Sequence, residues 1–518
     1  MDKGLRSSLL KVSLFATGLS GIVAEYILST LATYLLGDSV LQWTLIVSVM
    51  LFSMGLGSRL SQYIQTNLIQ TFIIAEFTLS ILVAYSSMMA YSAAAFTIYT
   101  GAIIYTLSIL IGILIGLEIP LVVRLNDQFE SLRINVAVII EKDYYGSLAG
   151  GLFFAFVGLP YFGLTYTPFI LGLINFIVAL LLLQSVINHL SISHKKLFIT
   201  FSIVTAVVII GGIFIAKPVI LYGEQKRYKD KVIFETQSRY QRIVITQWKN
   251  DYWLYLDGHL QLCSADEIMY HEPLVHPALS LHGYPQKVLI LGGGDGCATR
   301  EVLKYPSVEQ ITLVDIDPKM TDLALHNPIL TNLNQNSLHN PKVTIINTDA
   351  FKYMDTTRTY FDIIIIDLPD PKSIELGRLY SYEFYKLCKR HLRPKGILIT
   401  QAGSPYFASN AFNCINRTMQ SAGYSTIPMH NQVLTMGEWG WVMGLSDSSD
   451  VNIAKQKLLQ LQFDSIETKW LNNDAMKVIT SFGKILYPSH NRLDTVETNT
   501  LNNPVLHKYY NKGNWDLY

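Results

Sequence analysis

The sequence predicts an α-helical multi-pass membrane domain, then a small antiparallel β-domain, then an α/β domain whose mostly parallel sheet carries helices on both faces. Three observations predict it. Half of the 518 residues are hydrophobic and only 15% are charged, which is too apolar for a chain that is soluble throughout. The charge is also uneven: residues 1–216 hold 9 Lys+Arg and 9 Asp+Glu, leaving 31 and 30 for residues 217–518. In the polar half, apolar strands alternate with amphipathic stretches, the pattern of a parallel sheet.

About 20 predominantly apolar residues cross a bilayer as a helix. Candidate spans lie near 9–36, 41–60, 68–93, 95–123, 136–162, 165–187 and 197–216, about seven in all, so residues 1–216 are read as the transmembrane domain. The first is too long, and too soon followed by the next, for a cleaved leader. A cell-membrane protein in contact with the lipid bilayer is expected. Orientation signals conflict. The N-terminal Lys3, Arg6 and Lys11, then Arg59, then Arg124 and Arg133, then Lys195 and Lys196 alternate as cytoplasmic loops, so seven full spans put the polar half outside. The segment after the last span, with Lys217, Lys226, Arg227 and Lys229 against Glu224, argues for inside. The charges are weighed above the span count, since one apolar segment fits a re-entrant segment or a broken pair, with 136–162 (Gly146, Gly150, Gly151, Pro160) the weakest single helix, so the polar half is expected in the cytoplasm.

Glu25, Glu76, Glu118 and the run Glu141, Lys142, Asp143 lie inside these spans. Two readings stand: a cation path or polyamine-sensing cavity, or interfacial span ends for Glu118 and Glu141 with Lys142 paired to a neighbouring carboxylate.

Neither half is basic, which argues against a nucleic-acid partner. Cys263, Cys297, Cys388 and Cys414 are far apart, with no CxxC, and read as free thiols in a reducing compartment; no metal is expected.

Residues 217–231 read as a charged linker, and 232–282 as the small β-domain, rich in β-branched and aromatic residues and broken by "KND" and "DG" turns. Residues 283–450 read as the α/β domain, with strands at 287–291, 311–314, 343–347, 362–366 and 396–401. Residues 451–518 read as a helical extension with no assignable chemistry.

Ligands of such sheets bind at the carboxyl ends of the strands. There Asp295 follows the first strand, Asp315 and Asp317 the second, Asp349 the third, Asp367 and Asp370 the fourth. One acid at a strand end is an ordinary cap or turn residue, but a carboxylate after each of four strands is harder to dismiss. The first loop, Gly292–Gly293–Gly294–Asp295–Gly296, lacks the Lys-Ser/Thr of a P-loop, and Asp295 repels a pyrophosphate. A nucleoside without phosphates, carrying a cationic sulfonium, fits better, with Asp315 on the ribose and Asp349, followed by Ala350, on the adenine amino group. Asp367 and Asp370, three apart on a turn stiffened by Pro369 and Pro371, suit an amine co-substrate: a nucleophilic alkylamine of pKa about 10 must lose a proton, and a carboxylate can take it.

The motifs "YQRIVI", "LYLDGHLQL", "DEIMYHEPLVHPAL", "VLILGGGDGCATREVLKY", "VDIDPKM", "TDAFKYM" and "FDIIIIDLPDP" resemble, in order over residues 235–445, those of the spermidine synthases, the polyamine aminopropyltransferases. "GLSGIVAEY", "DYYGSLAGG", "PDPKSIELGRLYSYEFY" and the ending "NPVLHKYYNKGNW" look like the membrane-embedded branch of that family. The resemblance implies a methyltransferase-like Rossmann domain after a small β-domain. It implies decarboxylated S-adenosylmethionine as co-substrate, and an amine acceptor, putrescine by default, giving spermidine and methylthioadenosine. Because that co-substrate ends in an ammonium without a carboxylate, Asp295 attracts it. By matching positions, Gln241, Asp315, Asp349 and Ala350, with Gly292 and Gly294 of the loop, are expected to hold the adenosyl part. Asp295 and Gln261 hold the aminopropyl arm, and His271 and Asp370 contact the polyamine. Tyr270 orients the attacking amine and Asp367 deprotonates it, with Asp317 and Glu272 supporting. A homodimer or homotetramer is left open.

Taken singly, Tyr270 and His271 also fit packing beneath the β-domain and Gln241 an exposed strand position. Trp439 and Trp441 read as strand core, with Glu438 left open as an amine contact. Soluble members show D-S-S-D-P where this chain has Asp367-Leu368-Pro369-Asp370-Pro371, and the following loop lacks their G-P-A, which leaves cadaverine, spermidine and agmatine open as acceptors. Two other functions were weighed: an S-adenosylmethionine methyltransferase, disfavoured by Asp295 and the Asp367–Asp370 pair, and a membrane polyamine transporter or sensor.

Overall fold

The computed structural model describes residues 3–37, 39–127, 132–447, 451–463, 465–483 and 496–515. It divides into two compact units, Met1–Val232 and Ile233–Tyr518.

In the first unit, among the described residues, six stretches are long and apolar enough to cross a membrane. The helices are α1 (Lys3–Leu36), α2 (Ser39–Leu60), α3 (Leu68–Phe96), α4 (Thr100–Asn126), α5 (Leu132–Phe153), α6 (Gly163–Val186) and α7 (Ile192–Arg227). The expected spans 136–162 and 165–187 merge into one 54-residue stretch, Arg133–Val186. The reason is the π-helical segment Phe154–Phe162, which carries the helical backbone on to Gly163, where φ is +61°. At 1.5 Å per residue a straight run of that length would span about 80 Å, far beyond the ~30 Å of hydrocarbon. It turns back instead. Tyr26 of α1 meets Phe154, so α5 rises beside α1, whereas α6 descends along α3, with Phe169 against Tyr85 and Phe176 against Phe77. On α3 and α7, Phe77 meets Phe201 and Phe96 meets Tyr222, so these two run the same way. Thr17 faces Glu76 and Tyr34 faces Tyr91, which aligns α1 with them. The re-entrant reading of 136–162 is therefore corrected: α5 and α6 are two full, opposed helices.

Glycines let helix backbones meet. A Cβ on Gly116 would lie 2.0 Å from the Met54 carbonyl oxygen, and one on Gly146 2.0 Å from that of Phe15. Glu118 lies fully buried in the bundle, not at a span end, and accepts the Thr17 hydroxyl at 2.5 Å; Glu76, also fully buried, shares that hydroxyl at 3.4 Å. Lys142 pairs with Glu141 at 2.9 Å. The segment expected as a linker is helical through Arg227, because Glu224 binds the Tyr34 hydroxyl and Arg227 stacks 4.1 Å over the Tyr34 ring, tying the end of α7 to the end of α1.

The second unit opens with four antiparallel strands in order, β1 (Lys231–Gln237), β2 (Arg242–Trp248), β3 (Asp251–Leu256) and β4 (His259–Cys263). Their hairpins close through the expected turn residues: Lys249, Asp257 and Gly258 have positive φ, and Leu256 pairs with His259 across a two-residue loop. Helix α8 (Ile268–His282) leads to a seven-stranded sheet of β5 (Lys287–Gly292), β6 (Gln310–Asp315), β7 (Val343–Asn347), β8 (Phe361–Asp367), β9 (Leu392–Gln401), β10 (Ser425–Val433) and β11 (Gly437–Leu445). Its order is β10-β11-β9-β8-β5-β6-β7. Strands β5 to β9 are parallel and β10 and β11 antiparallel, a mixed α/β sheet. The run Ile363 to Ile366 is fully buried, as a central strand covered on both faces requires. The strand order reverses at β5, between β6 and β8, which opens a crevice at the ends of those three strands. All four cysteines are free and buried.

Candidate active site

The glycine loop leaves β5 at this switch point. Gly292 pairs with Asp367 across β5 and β8, and the Gly293 N–H donates to the Asp367 carbonyl at 3.0 Å. No side chain fits here: a Cβ on Gly292 would lie 2.0 Å from that carbonyl oxygen, and one on Gly294 2.6 Å from Asp315 Oδ2. Asp295 Oδ1 accepts the N–H of Cys297 at 2.8 Å, at the start of helix α9 (Cys297–Leu303).

Three functional groups converge. A ring nitrogen of His271 and one oxygen each of Asp295 and Asp367 lie within 4.8 Å of one another. Tyr270, one residue earlier on α8, donates its hydroxyl to Asp367 Oδ1 at 2.7 Å. Its phenol is pushed well above its usual range by burial and by Asp367, so it stays a neutral donor. Burial, then the neighbouring Asp295, raises Asp367 to about 6 against the opposing pull of His271 and Tyr270. For His271, burial favours the neutral ring, but the Nδ1 bond to Glu267 Oε2 (2.7 Å) and the fields of Glu267, Asp295 and Asp367 lift it to about 9. Glu267 is in turn held by the Arg300 guanidinium through two bonds of 2.9 Å.

At the end of β6, Asp315 Oδ1 accepts the Asp317 N–H (2.8 Å), and burial raises its carboxyl to about 6. Asp317 caps the next helix, Pro318–His326, and accepts Gln241 Nε2 at 2.9 Å, which places Gln241 at the site and not as an exposed strand residue. Asp349 caps Ala350–Thr356 and is ion-paired with Arg378; Ala350 is buried at that helix start. On the fourth strand end, Asp370 receives the Tyr510 hydroxyl (2.6 Å) and the Gln401 amide (3.4 Å).

Gln261, on β4, is not drawn in: its amide donates to the His259 carbonyl (3.3 Å), and among the described residues no strand-end acid holds it. Glu438 is ion-paired with His430, while Trp439 and Trp441 are buried strand core, Trp441 packing 5.5 Å from the Tyr270 ring. Glu272 accepts the backbone N–H groups of Lys469, Trp470 and Leu471, a structural role. Sequence reasoning passed over Glu267, Gln401 and Tyr510. The strand-end rule that found the acids also points to Gln401, which closes β9; Tyr510 carries no such signal.

The Spermine/spermidine synthase domain family model matches residues 267–457. A polyamine aminopropyltransferase 2 of Aquifex aeolicus is 42% identical over 512 residues, covering 98% of this chain and 99% of that protein. The chain belongs to the polyamine aminopropyltransferase family. A second aminopropyltransferase, from Oceanobacillus iheyensis, is 38% identical over 525 residues, covering 100% of this chain and 99% of its own. A crystal structure of spermidine synthase with the transition-state analogue AdoDATO is 28% identical, covers 49% of this chain and 87% of its own, and superposes with a TM-score of 0.45. The aminopropyltransferases use decarboxylated S-adenosylmethionine as co-substrate, and the six apolar stretches make this member a membrane protein.

Proposed function

We propose that this aminopropyltransferase makes spermidine, with putrescine as acceptor. The observation that carries the reading is the convergence of His271, Asp295 and Asp367, with Tyr270 fixing Asp367. The co-substrate supplies an electrophilic carbon beside a sulfonium. The acceptor nitrogen attacks that carbon, the C–S bond breaks with its electron pair passing to sulfur, and neutral methylthioadenosine leaves. Asp367 takes the proton of the attacking nitrogen, for which its raised pKa suits it. Tyr270, donating to Oδ1, leaves Oδ2 of Asp367 to face the amine. Asp295 holds the aminopropyl ammonium. Asp315, Asp349, Ala350 and Gln241 hold the adenosyl part, Gly294 leaving room beside Asp315. His271 and Asp370 bracket the acceptor. Residues three apart lie at most about 10 Å apart along the chain, so Asp367 and Asp370 suit the two nitrogens of a short diamine. No metal takes part in this scheme.

The catalytic unit is assigned to the cytoplasmic side, supported by Lys217, Lys226 and Arg227 on α7, Lys229 just beyond it, and the unpaired cysteines. The test is methylthioadenosine release by the full-length protein with decarboxylated S-adenosylmethionine and a panel of diamines and polyamines, Asp367→Asn as control. Release with putrescine that depends on Asp367 is the expected result. Release only with a longer amine would overturn putrescine, and binding of the co-substrate without release for any amine would overturn the transfer.

A further inference from the structure

Residues 505–515 close on the loop that follows β8. The Tyr510 hydroxyl donates to Asp370 Oδ2 at 2.6 Å, and the Asn511 amide donates to the Lys372 carbonyl at 3.1 Å. Behind Tyr510, the Trp515 indole N–H donates to the Tyr510 carbonyl (2.8 Å) with the rings 4.7 Å apart, and the Asn514 N–H donates to the Phe407 carbonyl (2.7 Å). Tyr510 is thereby only 4% exposed, and burial together with Asp370 pushes its phenol far up, so it remains a donor. A tyrosine from the C-terminal extension is thus a built part of the Asp370 environment.

Among the described residues, a cation faces the same carboxylate. Lys372 Nζ stands 4.0 Å from Asp370 Oδ2 and 5.8 Å from the Tyr510 ring centroid, with 30% of its side chain exposed. At 4.0 Å the ammonium is attracted to the carboxylate without a hydrogen bond. Asp370 is meanwhile tied by Tyr510 and Gln401, which are neutral. The place therefore holds a primary ammonium loosely, between an acid and an aromatic face. An alkyl diamine ends in the same chemical group.

Resting on the aminopropyl-transfer reading, in which Asp370 contacts the acceptor, we propose that Tyr510 completes that subsite for the acceptor's distal ammonium, and that Lys372 occupies it as an internal substitute that the acceptor displaces. Tyr510 contributes twice. Its hydroxyl fixes the carboxylate, and its ring offers a cation–π surface to the incoming ammonium. Lys372 weakens binding of every acceptor by competition, and discriminates against a monoamine, which has no distal charge with which to displace it.

The experiment is steady-state kinetics of the full-length protein in detergent, with the acceptor and decarboxylated S-adenosylmethionine varied separately, for wild type, Lys372→Met and Tyr510→Phe. Co-substrate Kd is measured by calorimetry. Lys372→Met is expected to lower the acceptor KM about 2- to 5-fold, the scale of one exposed ion pair, and to narrow the preference for diamine over monoamine. Tyr510→Phe keeps the ring and is expected to raise the acceptor KM about 10-fold, the scale of a hydrogen bond to a charged group. In both, co-substrate Kd stays within about 2-fold, which a merely structural role of the segment would not preserve. An unchanged or raised acceptor KM in Lys372→Met overturns the substitution idea, and that partly exposed residue carries the test even where Tyr510→Phe fails to fold. A wild type that turns over no amine overturns the transfer reading itself, and the subsite with it.

Discussion

Asp367 sits where a carboxylate is costly, and that cost marks its task. Burial, with Asp295 beside it, raises its pKa to about 6 from an ordinary value near 4, so folding takes up a proton there. The sign follows: the penalty is absent below about pH 4, grows through about pH 6 and is complete above, reaching roughly 2–3 kcal/mol. Asp367→Asn should therefore raise the melting temperature of the protein at pH 7.5 by a few degrees and lose that advantage below about pH 4, while kcat falls by about 100-fold or more for want of a base. A melting series against pH, run beside the turnover assay, reads both; equal melting curves at every pH would show that the carboxylate is unstrained. The acceptor kcat/KM should also climb as pH rises through about 6, and lose that inflection in the variant. The acids were legible because a parallel sheet gathers the ends of its strands, so chain position alone placed Asp295, Asp315, Asp349 and Asp367. Glu267 and Tyr510 were not, because each acts through a partner on another element, whereas Gln401 stands at a strand end where the same rule applies; Gln261 stands apart because its amide finds a nearer acceptor in its own strand.

At the scale of elements, the same distinction separates what was readable. Strands β5 to β9 follow the expected segments to within a few residues, since buried Val, Ile and Leu runs bounded by polar turns leave little choice. Of the antiparallel pair β10 and β11, only the strand core at Trp439 and Trp441 is legible in the sequence. Pro428, Gly437, Gly440 and Gly444 interrupt its alternation, and the pair is stabilised by neighbours, as where Gly440 donates to the Gly403 carbonyl at 2.7 Å. In the membrane unit, hydropathy showed where helices lie but not how closely they meet. Gly116 of α4 rests on the Met54 carbonyl of α2 with no room for a Cβ, so Gly116→Val must push the two helices apart. We expect loss of monodisperse full-length protein in detergent, with a size-exclusion profile shifted to aggregate, while Gly55→Val, where a Cβ meets nothing within 4 Å, leaves the profile unchanged. In the catalytic unit, Glu267 joins α8 to α9 through His271 and Arg300. Glu267→Gln should cost about 3 kcal/mol in denaturant unfolding, the scale for breaking a buried pair, and should lower the His271 pKa from about 9 as followed by its ring proton shifts.

For the whole molecule, the alternating directions of α1 to α7 have a topological consequence. The chain enters the bundle at one end and leaves it, after α7, at the other, because Tyr34 near the end of α1 binds Glu224 near the end of α7. Lys11, Arg59, Arg124, Arg133, Lys195 and Lys196 belong to the end where α1 begins, and at the opposite end Gly37, residues 97–99 and the π-helical segment 154–162, which join helices, contain no basic residue. By the charge of the joining segments that first end faces the cytoplasm, while Lys217, Lys226, Arg227 and Lys229 at the exit of α7 argue for the other end. The two assignments share one prediction that the bundle geometry makes by itself: tags at the N-terminus and at the C-terminus lie on opposite sides of the membrane. Impermeant maleimide labelling of single cysteines introduced at each terminus of the full-length protein, in intact and in permeabilised cells, measures it. With the catalytic unit inside, the N-terminal cysteine labels in intact cells and the C-terminal one only after permeabilisation. The reverse pattern keeps the bundle and moves aminopropyl transfer to the outer face, where co-substrate would have to be delivered across the membrane. Equal labelling of both termini would mean an even number of crossings and would break the opposed pairing of α5 and α6.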